Sequence, residues 1–148
     1  MRLDPEVAEA LGLAVNDGPR DVELENGVWL TMRPPQGQDW AAAKSALAKV
    51  AEIDRQLRAM AGRYAWSPRD VSALFDPETW GGAAEWCLAV ELAPLIVSKV
   101  WRLDGDRRFD VEPKLETFVF LFKLGENLDR FLSAARAAER GLLTAKKE

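Results

Sequence analysis

A chain of this size does chemistry through a nucleophile, a general base or a set of metal ligands, and this one is short of all three. Its 148 residues include no histidine. That removes Ser-His-Asp and Cys-His catalysis, imidazole ligands and the usual base near neutral pH. The single cysteine, Cys87, permits neither an intrachain disulfide nor a cysteine-based zinc site. Asp104, Asp106 and Asp110 fall in one run and offer oxygen ligands for Mg²⁺ or Ca²⁺. Their spacing is not that of a calcium loop, and Arg107 and Arg108 within the run oppose a cation. The expectation is a tight turn with solvated acids. Among 24 acidic residues, paired carboxylates occur by chance, so such pairs carry no signal. Glu91 stands inside an apolar run and is expected at a helix edge or paired with an arginine. There is no glycine-rich phosphate loop and no internal repeat. Neither enzymatic activity nor a cofactor is expected.

The remaining composition is that of one globular domain: 48% apolar, 30% charged, net charge −4. The acidic pI of about 5.0 argues against a nucleic-acid partner held by phosphate contacts. The N-terminus, MRLDPEVAEALGLAV, lacks the uninterrupted apolar core of a signal peptide. The longest apolar run, Trp86 to Trp101, is shorter than the roughly 18 residues of a membrane span and contains Glu91, Pro94 and Lys99. It reads as a buried central helix that Pro94 kinks or splits. A cytoplasmic protein with no membrane partner is expected.

The elements that must position any site follow from pattern. Asp4-Pro5-Glu6 opens a short helix that Asn16-Asp17-Gly18-Pro19 stops. In DVELENGVWLTMRPP, Val22 and Leu24 alternate with acids. Asn26-Gly27 supplies a two-residue turn, and Val28, Leu30 and Met32 alternate on the return, which predicts a β-hairpin. A long helix is expected from about 38 to 64, on the stripe Trp40, Ala43, Leu47, Val50, Ile53, Leu57, Met60 and Tyr64. Ser67-Pro68-Arg69-Asp70 is a capping box over a short helix, and Asp76-Pro77-Glu78 starts the next. Residues 100–103 and 107–111 flank an Asp/Gly turn and read as short strands that join the hairpin in one small sheet. Leu115, Phe118, Val119 and Phe122 give a further helix, broken at Gly125. Leu128, Phe131, Leu132, Ala135, Ala138 and Leu142 give the last, with Arg130, Arg136 and Arg140 on its solvated face in local pairs with Asp129 and Glu139. The fold class is mainly α (α+β): a compact helical domain with an N-terminal hairpin and a small antiparallel sheet including residues around 100–111. The single domain, 1–148, divides into a helical arm over 1–20, the hairpin over 21–34, a helical core over 38–142 and a frayed tail over 143–148.

Six tryptophans are many for this length. Trp40, Trp86 and Trp101 sit on apolar stripes and read as core anchors. Trp29 falls on the strand face opposite Val28, Leu30 and Met32, the face that is normally solvated, and is a candidate contact residue.

The order of these features resembles tail assembly chaperones of long-tailed bacteriophages and prophages. A β segment of the form V-x-L-x-x-G-x-x-L-x-x-R-P precedes a charged helix. An apolar helix follows, ending in V-x-x-V-W-R-L-D-G-D-x-R-F-D-V-E, and then a C-terminal helix pair. Members of that family often carry an apolar helix ending in Trp, an Asp/Gly turn and an extended piece leading to a helix start. The matching positions here are Val97, Val100, Trp101, Leu103, Asp104, Gly105, Phe109 and Glu112. The resemblance covers roughly residues 20–135, and its specific part about 15 residues. The sequence departs from the pattern at Arg102, where Gly often follows the Trp, and at Arg107-Arg108-Phe109, where apolar residues and proline are common. The resemblance implies a non-enzymatic protein that binds the tape measure protein, keeps its long helices soluble and helps recruit tail tube protein. It works in the bacterial host cytoplasm and is absent from the finished particle. The candidate partner contacts are Trp29, Trp80, Trp101, Arg102, Asp104, Arg107, Arg108 and Phe109. An apolar groove for a partner helix is expected, with self-association when the partner is absent. The alternatives are a helical head–tail connector subunit, which would remain in the particle, and a generic protein-interaction domain.

Overall fold

The buried centre of the protein is the helix that carries the apolar run. The computed structural model describes residues 4–48, 53–73 and 77–145; for 47–48, 53–57, 71–73, 77–81 and 144–145 only the backbone is described. In chain order the elements are α1 (Pro5–Ala10), β1 (Leu13–Val15), β2 (Arg20–Glu23), β3 (Val28–Met32), α2 (Gly37–Ala48), α3 (Ile53–Tyr64), α4 (Pro68–Ala73), α5 (Pro77–Ile96), β4 (Val97–Asp104), β5 (Arg107–Val111), α6 (Leu115–Leu121), α7 (Gly125–Arg140) and β6 (Leu143–Ala145). Helix α5 packs on α2, α6 and α7. Its Cys87, Ala89, Val90, Leu92, Ala93 and Ile96 are buried, so almost every side of this helix meets protein.

Strands β2-β3-β4-β5 form one antiparallel sheet in that order. The hairpin stands where the sequence places it, with Asn26 and Gly27 both at positive φ. Its connection is one residue longer than expected: Glu23 pairs with Trp29, and the Leu24 N–H donates to the Val28 carbonyl at 2.7 Å, leaving Glu25, Asn26 and Gly27 between. The second hairpin also forms. Asp104 pairs with Arg107 across Gly105-Asp106, and Gly105 takes the positive φ. One face of the sheet presents Leu24, Leu30, Met32, Val97 and Val100 to the aromatic core of Phe118, Phe122 and Phe131.

Four expectations require correction. The apolar run is not helical to Trp101: α5 ends at Ile96 and β4 begins at the next residue. Pro94 does not split α5; it lies in the last turn, and the chain turns extended three residues later. The N-terminal helix ends at Ala10, and Gly12 at positive φ leads into β1. Residues 143–145 are not a frayed tail but β6, paired with β1 through Leu13–Ala145, Ala14–Thr144 and Val15–Leu143. The predicted helix over 38–64 is represented by α2 and α3; the stretch between them, with Val50 of the predicted stripe, lies outside the described residues.

Two of the predicted start signals are used, and Asp76 of the third lies outside the described residues. Asp4 Oδ1 accepts from the Glu6 N–H at 2.9 Å. Ser67 and Asp70 make the reciprocal box: the Ser67 N–H donates to the Asp70 carboxylate at 3.0 Å, and the Asp70 N–H to Ser67 Oγ at 3.2 Å. The end of β3 is tied to the end of α5. Arg33 grips Asp39 through two hydrogen bonds of 2.7 and 2.8 Å, and its Nη2 also donates to the Leu95 carbonyl at 3.1 Å. Burial pushes the Asp39 carboxyl up, but the hydrogen bonds from Arg33 and the Gln36 N–H outweigh it and hold it below the usual carboxylate range.

Candidate functional site

The residues singled out from the sequence converge, with one exception, on the end of the sheet formed by β3, β4 and β5. The local cause is the alternation of a strand. A β-bulge at Ser98 sets the phase: Thr31 pairs with Lys99 and Met32 with Val97, and Ser98 Oγ donates to the Thr31 carbonyl at 3.2 Å. Val97 and Val100 therefore both face the core although they are three apart. Trp101 and Leu103 then face outward, and Arg102 inward.

On the outer face Trp101 is not the core anchor its apolar stripe suggested, because that stripe belonged to a helix that has already ended. It pairs across the strands with Trp29, the two rings stacked at 5.5 Å and 10°. The Arg108 guanidinium lies over the Trp101 ring at 4.6 Å. Trp101 Nε1 donates to Thr31 Oγ1 at 3.1 Å, and Thr31 Oγ1 donates to Asp21 at 2.7 Å, so the polar tips are joined across three strands. Trp29, expected as a solvated contact, is half-buried because Trp101 covers it. Asp104 is exposed at the turn, and Asp110 pairs with Arg108 at 3.1 Å.

The inner face has a different character. Beyond Val100 the sheet outruns the core, and Arg102, Phe109 and Val111 line a groove of about 530 Å³ against α6. Phe120 of α6 forms its other wall and is 73% exposed; Val111 is 50% and Phe109 44% exposed. The groove continues past Val28, Arg102 and Phe120 toward Leu124 and Asn127. Its lining is mostly carbon, and its charged residues are of both signs: Arg102, Lys114 and Lys123 with Glu25 and Glu116. Every residue of β5 is exposed. Arg107 lies over the Phe109 ring at 5.2 Å.

Trp80 is the exception. It belongs to the first turn of α5, and its side chain lies outside the described residues.

Phe120, Val111, Lys114 and Asn127 were not singled out in advance. For Phe120 a signal existed. It falls off the stripe of Leu115, Phe118, Val119 and Phe122, and an aromatic residue on the polar side of a helix invites the reading given to Trp29 on its strand. Asn127 is buried and holds the floor of the groove together. Its carbonyl accepts from the Glu25 N–H at 2.7 Å, and its amide donates to the Leu121 carbonyl at 3.0 Å.

Two further titratable groups of the interior lie on α5. Glu91 is buried and paired with an arginine, as expected: Arg63 bonds it at 2.6 and 3.1 Å and the Tyr64 hydroxyl at 2.7 Å. Burial, with Glu91 nearby, pushes the Cys87 thiol up to about 12, which favours the protonated thiol at neutral pH. The charged residues of α7 reach beyond their own helix: Arg130 bonds Glu25 as well as Glu126, Arg136 bonds Glu85, and Glu139 accepts from Trp40 Nε1. Among the described residues no group of three or more His, Cys, Asp or Glu side chains could hold a metal ion, and no helix is long and apolar enough to cross a membrane. The chain matches no protein-family model, no curated protein and no solved structure.

Proposed function

We propose that this protein is a non-catalytic protein-binding module whose partner lies in the groove between β4–β5 and α6. We further propose that it acts as a phage tail assembly chaperone in the bacterial host cytoplasm. In that role it holds a helical segment of the tape measure protein and helps recruit tail tube protein. The observation that supports the reading is the groove itself, with Phe109, Val111 and Phe120 left exposed on a chain that buries Tyr64, Phe118, Phe122 and Phe131. Apolar side chains held open between strand and helix, with charges of both signs at the rim, suit one face of an amphipathic helix. The segment that carries the resemblance, Val97 to Glu112, builds one wall of it.

The test is an affinity pull-down from bacteria carrying the parent genome and induced for phage, read by mass spectrometry beside the finished particles. Capture of a very long, helix-rich protein is expected, lost with Phe120→Glu, and this chain should be absent from particles. Its presence in particles would replace the chaperone with a head–tail connector subunit. Capture of bacterial proteins alone would leave a generic interaction domain.

A further inference from the structure

We infer that β5 is a homodimer interface, in which two copies of the chain pair their β5 edges antiparallel about a two-fold axis through Phe109. The inference rests on the strand edge and not on what occupies the groove.

The edge is available. β5 is hydrogen-bonded to β4 on one side only, and all five of its residues are exposed. Nothing among the described residues covers it, and it contains neither proline nor bulge, two usual guards of an edge.

The phase of its backbone is fixed by the turn. Asp104 and Arg107 flank a two-residue connection and so form a hydrogen-bonded pair. Antiparallel pairing alternates, so Arg107, Phe109 and Val111 direct their N–H and C=O groups to β4. Those of Arg108 and Asp110 point to the free edge. A second β5 can therefore dock in three symmetric registers: Arg108 on Arg108, Asp110 on Asp110, or Arg108 on Asp110. The first two set like charges opposite each other, which destabilises a sheet. The third centres on Phe109 and sets each Arg108 opposite the partner copy's Asp110, giving two opposite-charge pairs and four backbone hydrogen bonds. The charges that would ordinarily guard this edge are thus self-complementary in one register alone. The same register sets the two Phe109 rings against each other and Val111 opposite Arg107. Asp106 and Glu112 fall outside the strand. The interface is isologous and closes at two chains.

Sedimentation equilibrium of the full chain tests this. A species of about 33 kDa, twice the 16.5 kDa chain mass, is expected at micromolar concentration. Asp110→Arg and Arg108→Asp should each give a monomer, and the double variant R108D/D110R should recover the dimer. A second readout is independent of charge. Phe109→Cys places two thiols on the axis in a non-hydrogen-bonded pair, and mild oxidation should link the copies covalently, while buried Cys87 stays inert. A wild type that remains monomeric, single variants that still dimerise, or a double variant that does not recover would each overturn the proposal. Failure of Phe109→Cys to cross-link would overturn the register.

Discussion

The two edges of the four-stranded sheet are treated in opposite ways. At the β2 edge the helix α7 lies alongside, Arg130 reaches the Glu23 carbonyl at 3.4 Å and the Glu25 carboxylate at 3.0 Å, and Asn127 holds the Glu25 N–H. At the β5 edge no helix among the described residues is laid against the strand's free side, and Phe109 and Val111 face a groove. The same sheet thus contributes to the core at one end and to the proposed binding groove at the other. Stability and binding should separate along it, and substitutions can check how cleanly.

The largest effect belongs to the closed end. Leu30→Ala removes a fully buried side chain from β3 and should cost about 2–5 kcal/mol in urea unfolding. A value near zero would mean that the β3 face is not core. Asn127→Ala leaves the Glu25 N–H and the Leu121 carbonyl without their partner, for about 1–3 kcal/mol. Between the ends, a double-mutant cycle on Trp29 and Trp101 should give a coupling of about 0.5–1.5 kcal/mol, the range for a stacked aromatic pair. No coupling would show that the indoles are merely adjacent.

A pH effect sharpens the same contrast. The Asp39 carboxyl sits below its usual range in the folded protein, so the unfolded chain takes up the proton first as pH falls. The stabilisation is complete above roughly pH 4, the ordinary carboxylate value, and is lost below it. Asp39→Asn should flatten that part of the acid limb in a chemical-denaturation series. An unchanged limb would assign the acid sensitivity elsewhere. Smallest of all is Phe109→Ala, which in the monomeric Arg108→Asp background should change stability by less than about 1 kcal/mol because nearly half of the ring is already in water, while removing a wall of the groove. A large loss of stability there would end the distinction between the two edges.

What could be read from the sequence follows from how strongly each segment is patterned. The β2–β3 hairpin was legible because Asn26-Gly27 and the alternation about it say the same thing. The strands about Gly105 were legible because charged and apolar residues are mixed around a turn. The end of α5 was not: apolar residues run without polar punctuation from Leu92 to Val97, and a buried helix and a buried strand share that composition. Strands β1 and β6 are three residues each and pair across almost the whole chain, so neither has a period to read. The groove was half legible. Its strand wall was singled out through Arg102 and Phe109, whereas its helical wall, Phe120, was passed over as an off-stripe residue. Trp101 was assigned to the core through a helical stripe that stops five residues short of it.

The direct passage from α5 to β4 has a mechanical consequence. With no residue between helix and strand, and with Arg33 fastening the junction through the Leu95 and Ile96 carbonyls, there is no hinge at that point. Beyond the bulge at Ser98, the six residues from Lys99 to Asp104 form an arm of about 20 Å at a strand's rise per residue, continuous with the buried helix α5. A load on the tip at Gly105 acts with that moment arm on α5. The arm therefore behaves as a fixed bracket rather than a flap, and whatever it holds is held at a set angle to the body.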